Sequence, residues 1–168
     1  MPWTEPAEWE VGDVLTDERL NEEIRDNLLA LKDPPSALYT LAGNYTTTNT
    51  SFVDVDTTNL ALTVTPAGTK VMIMLNLLLE HDTSLAITTF DILKSGVSIS
   101  PGASGIGAVR HQNTTNPSKF IPFTRVLTVT GLTPNTSVTF KLQWKTNGGT
   151  ATIIGATALS QMLVQEMS

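Results

Sequence analysis

The chain has 168 residues and a formal net charge of -6, with 40% hydrophobic residues, 15% charged residues and no cysteine. This length accommodates one domain of ordinary size with an appendage, and the lack of cysteine excludes disulfides, thiolate metal sites and cysteine nucleophiles. Residues 1–33 hold ten acids and three bases, a net -7, and the remainder holds six acids and seven bases, a net +1. Because phosphate binding needs clustered Lys and Arg, nucleic acid is not an expected partner.

The first segment of the chain carries two tryptophans with few large apolar neighbours. Trp3 and Trp9 stand among prolines and acids in the sequence MPWTEPAEWE. Aromatic side chains in a segment without its own core are expected to bury against another surface. We therefore predict that this segment anchors the chain to a partner, with Trp3, Pro6, Trp9 and Leu15 as the contact residues. It has no basic region followed by an apolar one, so a secretory signal is not expected.

A helix is predicted over residues 16–32. Thr16 suits the N-cap position, and Asp17 and Glu18 place acids in the first turn. Pro34 and Pro35 end the helix, because proline lacks an amide donor and disfavours helical geometry at the preceding residue. A helix of this length is marginal in water by itself. We expect it to pack on its own domain, on a partner surface or on copies of itself.

The apolar stripe of this predicted helix fits two arrangements. In an ordinary amphipathic helix, Leu28 joins the stripe and Asn27 is exposed to solvent. In a coiled-coil seam, Asn27 takes that place and sets the register of a small bundle. The sequence leaves both arrangements open, and the candidate seam residues are Leu20, Ile24, Asn27, Leu28 and Leu31.

From residue 36 onward, short apolar segments separated by turn signals predict strands. The predicted strands are Ala37–Ala42, Ser51–Val55, Leu60–Thr65, Lys70–Glu80, Leu85–Lys94, Val97–Ser100, Ile106–His111, Phe120–Val129, Ser137–Trp144, Thr150–Ile154 and Thr157–Glu166. Many short strands without intervening helices predict a mainly β protein, an antiparallel jelly-roll-like β-sandwich with a short N-terminal helix. The predicted organisation is an extended anchor and helix at residues 1–35 and a β-sandwich domain at residues 36–168.

One predicted strand, Lys70–Glu80, is nearly all apolar. Its longest apolar run covers residues 71–79 and contains Asn76, whereas a bilayer-spanning helix needs about 20 residues. We therefore predict a strand that is buried on both faces, and a membrane is not an expected partner.

No pattern of catalytic or metal-binding residues stands out. The two histidines, His81 and His111, lie far apart in sequence, and His81-Asp82 is predicted to form a turn. The segment Gly102–Gly107 superficially matches a glycine-rich phosphate loop, but it lacks the Lys-Ser/Thr pair and a following helix. The acids of the body form no evident pair. Neither a cofactor nor a metal is expected, and the protein is not expected to be an enzyme.

The N-terminal leader (residues 1–35) and the β-rich body (residues 36–168) each resemble parts of known virion proteins. Residues Trp9–Thr16 (WEVGDVLT) and Leu20–Lys32 (LNEEIRDNLLALK) resemble the N-terminal segment that precedes a β-rich body in many tailed-bacteriophage virion proteins. In the body, the layout of Gly68–Glu80, Leu93–Gly96 and Leu127–Pro134 is similar to trimeric jelly-roll knobs of the C1q and tumour-necrosis-factor kind. Such knobs occur at fibre tips and on phage decoration proteins.

This resemblance implies a structural protein of a phage virion, assembled in the host cytoplasm. The N-terminal segment would dock on other virion proteins of the capsid or tail, and a homotrimeric β-domain would project as capsid decoration or as a head or tail fibre. The alternative is a carbohydrate- or host-receptor-binding tip that holds a host-surface glycan. Exposed aromatics would then stack on sugar rings, and the candidates are Tyr39, Tyr45, Phe52 and Trp144.

Overall fold

The computed structural model describes residues 12, 14, 16–26, 28, 33–100, 104–111, 120–155 and 160–167. Near the N-terminus, a short helix α1 (Asp17–Leu20) continues into a π-helical turn over Asn21–Asp26. The Leu20 amide donates to the Thr16 carbonyl at 3.0 Å, which is the first helical hydrogen bond expected with an N-cap at Thr16. The predicted end of this helix falls on residues 27 and 29–32, outside the described residues. Within the described ranges, no helix has the length and apolar character needed to cross a membrane.

Twelve strands follow in the described part of the chain. In chain order they are β1 (Ser36–Thr40), β2 (Tyr45–Thr47), β3 (Val53–Asp54), β4 (Ala61–Val64), β5 (Val71–His81), β6 (Ile87–Lys94), β7 (Val97–Ser98), β8 (Gly107–Arg110), β9 (Ile121–Val129), β10 (Val138–Thr146), β11 (Ala151–Ile154) and β12 (Gln161–Glu166). Each of the eleven predicted strands overlaps one of these, so the prediction of a mainly β fold is confirmed. Strand β2 was not predicted, because three residues in a Thr- and Asn-rich stretch show too little alternation to indicate a strand.

The strands form two antiparallel sheets. In sheet A, β5 pairs with β9 along one side and with β12 and then β11 along the other, while β1 pairs with β12 and β2 pairs with β11. In sheet B, β10 pairs with β6 on one side and with β3 and β4 on the other, and β6 also pairs with β7 and β8. Successive strands from β9 to β11 change sheets, as in a jelly roll.

The core lies between the two sheets. In β10 every second residue is buried, and Phe140, Leu142 and Trp144 lie on the inner face. The Phe90 ring stacks on Phe123 from sheet A with 4.8 Å between centroids, and on Trp144 at 6.4 Å. These aromatic contacts therefore join sheet A to sheet B through the centre of the sandwich.

Two buried histidines join the sheets at one end of the sandwich. The prediction that His81 lies in a turn is wrong: it is the last residue of β5 and is fully buried, and the turn begins at Asp82. His111 follows β8, and its ring centroid lies 5.0 Å from that of His81. The contact between the two rings therefore joins the end of β5 in sheet A to the residue that follows β8 of sheet B.

Hydrogen bonds define the protonation state of His81. Its Nδ1 accepts from the Thr83 amide at 3.0 Å, so Nδ1 carries no proton. The Thr146 hydroxyl donates to the Gly148 carbonyl at 2.9 Å and accepts from His81 Nε2, also at 2.9 Å. His81 is therefore neutral, with its proton on Nε2. Both ring nitrogens of His111 are buried and have no hydrogen-bond partner among the described residues.

Candidate assembly surface

Most of the predicted anchor and seam residues lie outside the described part of the chain. These residues are Trp3, Pro6, Trp9, Leu15, Asn27 and Leu31, and their roles stay predictions. The described seam residues Leu20, Ile24 and Leu28 expose 41%, 53% and 60% of their surface. The apolar stripe of the N-terminal segment is therefore open to solvent in the single chain.

A second exposed apolar surface lies on the outer face of sheet A. The strand registers place Leu38 opposite Leu163, Leu163 opposite Met74, and Met74 opposite Val126. Side chains directly opposite on neighbouring strands are about 5 Å apart, so these four form a continuous row across β1, β12, β5 and β9. Leu38 is 59% exposed and Val126 is 53% exposed.

Further apolar side chains extend this row along β5. Met72 and Leu78 lie on the same outer face and are half-buried, while Asn76 between them is exposed. We define the apolar sheet face as Leu38, Met72, Met74, Leu78, Val126 and Leu163. The prediction that this strand is buried on both faces is wrong for the single chain, because the residues of β5 on the core side are fully buried and those on the outer side are not.

The outer face of sheet B has the opposite character. Lys141 forms an ion pair with Asp54 at 3.0 Å, and the Gln143 amide donates to the same carboxylate at 2.7 Å. The hydroxyls of Thr63 and Thr139 share a hydrogen bond of 2.8 Å. An antiparallel sheet in a soluble protein usually pairs an apolar inner face with a polar outer face. Sheet B follows this rule, whereas sheet A departs from it along the row from Leu38 to Val126, which marks this row as the surface that a partner would cover.

The described residues offer little for catalysis or metal binding. Within the described ranges, no group of three or more His, Asp or Glu side chains is arranged to hold a metal ion. Burial lowers the pKa of His81, against the opposing effect of the Asp82 carboxylate 3.4 Å away. Burial also lowers the pKa of His111, and the neighbouring His81 adds to this shift. Both rings are enclosed by protein, so neither is placed to meet a substrate.

The aromatic residues proposed for sugar stacking are mostly unavailable. Trp144 is only 1% exposed and belongs to the core. Tyr39 and Tyr45 are half-buried against the core, and the Tyr45 hydroxyl donates to the Asp56 carboxylate at 2.6 Å. The Phe52 ring lies beneath the Lys145 ammonium group, 4.5 Å from its centroid. The structure therefore corrects the prediction that Trp144 could stack on a sugar.

No protein-family model matches the chain, and no curated protein is similar to it in sequence. Among solved structures, Eiger TNF from S. frugiperda superposes on this chain with a TM-score of 0.51 at 11% identity. The match covers 81% of this chain and 94% of that chain. At this identity the likeness shows a shared fold, the TNF-like jelly roll, and confirms the predicted jelly-roll-like architecture.

Viral proteins also occur among the structural neighbours, with lower TM-scores. A chain from infectious bursal disease virus Gx strain matches with a TM-score of 0.39 at 14% identity, covering 79% of this chain and 37% of that chain. A pentameric capsid protein isolated from metagenomic phage sequences matches with a TM-score of 0.27 at 13% identity, covering 76% and 63% of the two chains. This chain thus spans little more than a third of the bursal virus chain. Neither likeness decides between functions.

Proposed function

We propose that this protein is a structural component of a bacteriophage virion. It docks through residues 1–35 on other virion proteins and projects the β-domain of residues 36–168 as capsid decoration or as a head or tail fibre. The observation that carries this proposal is the apolar sheet face, which is exposed in a single chain and suits burial between copies. The leader residues Trp9–Thr16 and Leu20–Lys32, with their resemblance to phage virion proteins, support the docking role.

The assembled form proposed is a homotrimer, located in the virion and assembled in the host cytoplasm. Leu38 and Val126 are already partly buried, so burying the rest of each side chain against another copy contributes about 1–2 kcal/mol. The stripe of Leu20, Ile24 and Leu28 would meet its counterparts at the same time, so the two surfaces reinforce each other. Three linked leaders then bind the particle with high effective concentration, even if each leader binds weakly.

Removing residues 1–15 is expected to leave a folded β-domain that no longer enters particles. The twelve described strands and the core of the body lie within residues 36–166, so the far-ultraviolet circular dichroism of the body should not change. Incorporation is measured from the protein that co-purifies with virions on a density gradient. The double variant Trp3→Ala/Trp9→Ala should reproduce the loss, whereas Thr4→Ala serves as the control. Normal incorporation of the truncated chain would contradict the anchoring role.

Val126→Arg is expected to weaken self-association by at least about tenfold, because it places a charge at the β9 end of the apolar sheet face. Val126 is exposed and makes no core contact in the single chain, so the variant should fold normally. Sedimentation equilibrium measures the change. Leu85→Arg is the matched control, since Leu85 is 50% exposed but lies in the loop after β5, away from this face. Equal association constants for Val126→Arg and the unsubstituted protein would contradict assembly through this surface.

A second candidate function is recognition of a host-surface ligand by the projected domain. The observation that favours it is a groove of about 560 Å³ at the open side of the sandwich, between β9 of sheet A and β7 of sheet B. Its volume lies within the range of ordinary ligand sites. This function is compatible with the first, because a decoration protein or fibre can carry a binding site on its exposed part.

A further inference from the structure

The groove at the open side of the sandwich has a structured wall. We define the basic groove by its lining residues Lys94, Ser98, Ser100, Ile106, Arg125 and Leu127. On the sheet B side, the Ile99 amide donates to the Ile92 carbonyl at 3.0 Å and the Ile106 amide donates to the Phe90 carbonyl at 2.8 Å. Backbone hydrogen bonds to β6 therefore hold this wall in place.

Arg125 occupies an unusual position in β9. It pairs in register with Leu75, which is fully buried, so Arg125 lies on the core-facing side of the sheet with Phe123 and Leu127. Arg125 is nevertheless exposed, because β9 is at the edge of sheet A and its side chain lines the groove between the two sheets. An apolar residue would continue the alternation of this strand, and the sequence places a guanidinium group there instead.

Among the described residues, the cations of this groove have no acidic counterparts. In that part of the chain neither Arg125 nor Lys94 forms an ion pair, and no acid lines the groove. The sequence also lacks acids around the groove: no Asp or Glu occurs from Ile92 through Gln165. The whole chain nevertheless has a net charge of -6. This stretch carries six bases, namely Lys94, Arg110, Lys119, Arg125, Lys141 and Lys145. The groove is thus a positively charged site on a negatively charged protein.

We propose that the basic groove binds a carboxylate-bearing saccharide, an inference that rests on the second candidate function. The Arg125 guanidinium group pairs with the carboxylate in a bidentate manner, and Lys94 supplies a second positive charge. The Ser100 hydroxyl donates to the Gly105 carbonyl at 2.8 Å, which leaves its oxygen free to accept from a sugar hydroxyl. Leu127, which is half-buried, offers apolar surface to the C–H groups of the sugar ring.

A saccharide fits this groove better than an acidic peptide does. Two serine hydroxyls line the groove with the two cations, and both use their protons within the chain: Ser98 donates to the Ser100 carbonyl, and Ser100 donates to the Gly105 carbonyl. A uronic or sialic acid presents a carboxylate together with several hydroxyls on one ring, so it matches both kinds of group. The oxygens of these two serines can therefore only accept, which suits the hydroxyl groups of a sugar, whereas the carboxylates of an acidic peptide have no proton to donate to them.

Isothermal titration calorimetry of the full chain with acidic oligosaccharides tests the proposal. The panel contains trigalacturonate, a glucuronate oligosaccharide and a sialylated oligosaccharide, and at least one should bind with a millimolar or lower dissociation constant. The methyl ester of the ligand that binds keeps the ring but lacks the charge, and it should bind at least about tenfold more weakly. Arg125→Glu should cause a similar loss. Arg110→Glu is the matched control, because Arg110 is an exposed cation on β8 outside the groove.

Three results would overturn the inference. One is the absence of binding by all three saccharides, and another is equal binding of the acid and its ester. The third is binding of a peptide of residues 1–15 in place of the saccharides, which would make the groove a site for the acidic leader of a second copy. Arg125→Glu is expected to enter virions normally. The two proposals can therefore fail separately. If no saccharide binds, the proposed structural role is unaffected, and if the protein does not enter virions, that result says nothing about the groove.

Discussion

Trp144→Ala is expected to lower the free energy of unfolding by about 3–5 kcal/mol. Trp144 is 1% exposed, and its ring stacks on Phe90, which in turn stacks on Phe123 of the opposite sheet. Removing the indole therefore opens a cavity at the contact between the sheets. Because small domains unfold with about 5–15 kcal/mol in total, this one change removes a large share of the stability.

Urea denaturation followed by circular dichroism measures this loss. Trp144→Phe is the matched variant, because it keeps an aromatic ring in the stack and should lose clearly less stability than Trp144→Ala. A loss below about 1 kcal/mol for Trp144→Ala would show that the site collapses without penalty and that the ring is not central to the core. The result also bears on ligand binding, since weaker glycan binding by Trp144→Ala would reflect unfolding and not a lost stacking contact.

His111→Phe is expected to remove a large part of the acid sensitivity of the fold between pH 7 and 5. The pKa of His111 is lowered by burial and by the neighbouring His81, so the folded protein binds fewer protons than the unfolded chain below about pH 6.5. Its contribution to stability is therefore full above that pH and is lost as the pH falls towards the lowered pKa. The loss approaches about 1.4 kcal/mol per pH unit for each histidine that stays neutral.

Phenylalanine is a suitable replacement because, in the part of the chain that the structure describes, neither ring nitrogen of His111 has a hydrogen-bond partner to lose. His81 remains in the variant, so part of the slope should remain, and the Asp82 carboxylate 3.4 Å from His81 Nδ1 moderates that part. The unfolding free energy at pH 7.5, 6.5, 5.5 and 5.0 measures the change. If the unfolding free energy of His111→Phe falls with pH as steeply as that of the unsubstituted protein, this role of His111 is contradicted.

Asp54→Asn is the control for this pH dependence. Burial acts to raise the pKa of Asp54, but hydrogen bonds from Gln143 and Lys141 hold it below its ordinary value. A lowered carboxyl pKa contributes stability above about pH 4, and the contribution is lost below that. Asp54→Asn should therefore lower stability by a similar amount throughout the range from pH 5 to 7. Histidine and carboxylate effects can then be separated by the pH at which each appears.

The strands of this fold could be predicted from the sequence because their signals are local. Alternation along Val138–Thr146 and the apolar run of Val71–His81 are visible in any short window, and turn residues separate the segments. Strand β2 was not predicted because its three residues show no alternation of apolar and polar side chains. The burial of His81 also escaped notice, because the sequence His81-Asp82 resembles a turn and its partners Thr146 and His111 come from other strands.

The assembly surface could be predicted only in part. The apolar composition of β5 predicts that both of its faces are buried. The sequence does not identify the surface that covers the outer face. The row from Leu38 through Leu163 and Met74 to Val126 depends on the register of four strands that are distant in the chain, so no local window contains it. The same applies to Arg125, whose core-facing position becomes evident only from its pairing with Leu75. The anchor residues Trp3 and Trp9 came from composition alone and stay predictions.

The most direct test of the proposed assembly is the mass of the purified protein in solution, measured by light scattering at micromolar concentration. The apolar sheet face and the exposed stripe of Leu20, Ile24 and Leu28 predict self-association, and the resemblance to trimeric knobs predicts a trimer with three times the 18.1 kDa mass of the chain. A mass of 18.1 kDa over the whole concentration range would contradict self-association and would leave the apolar sheet face without the partner proposed for it.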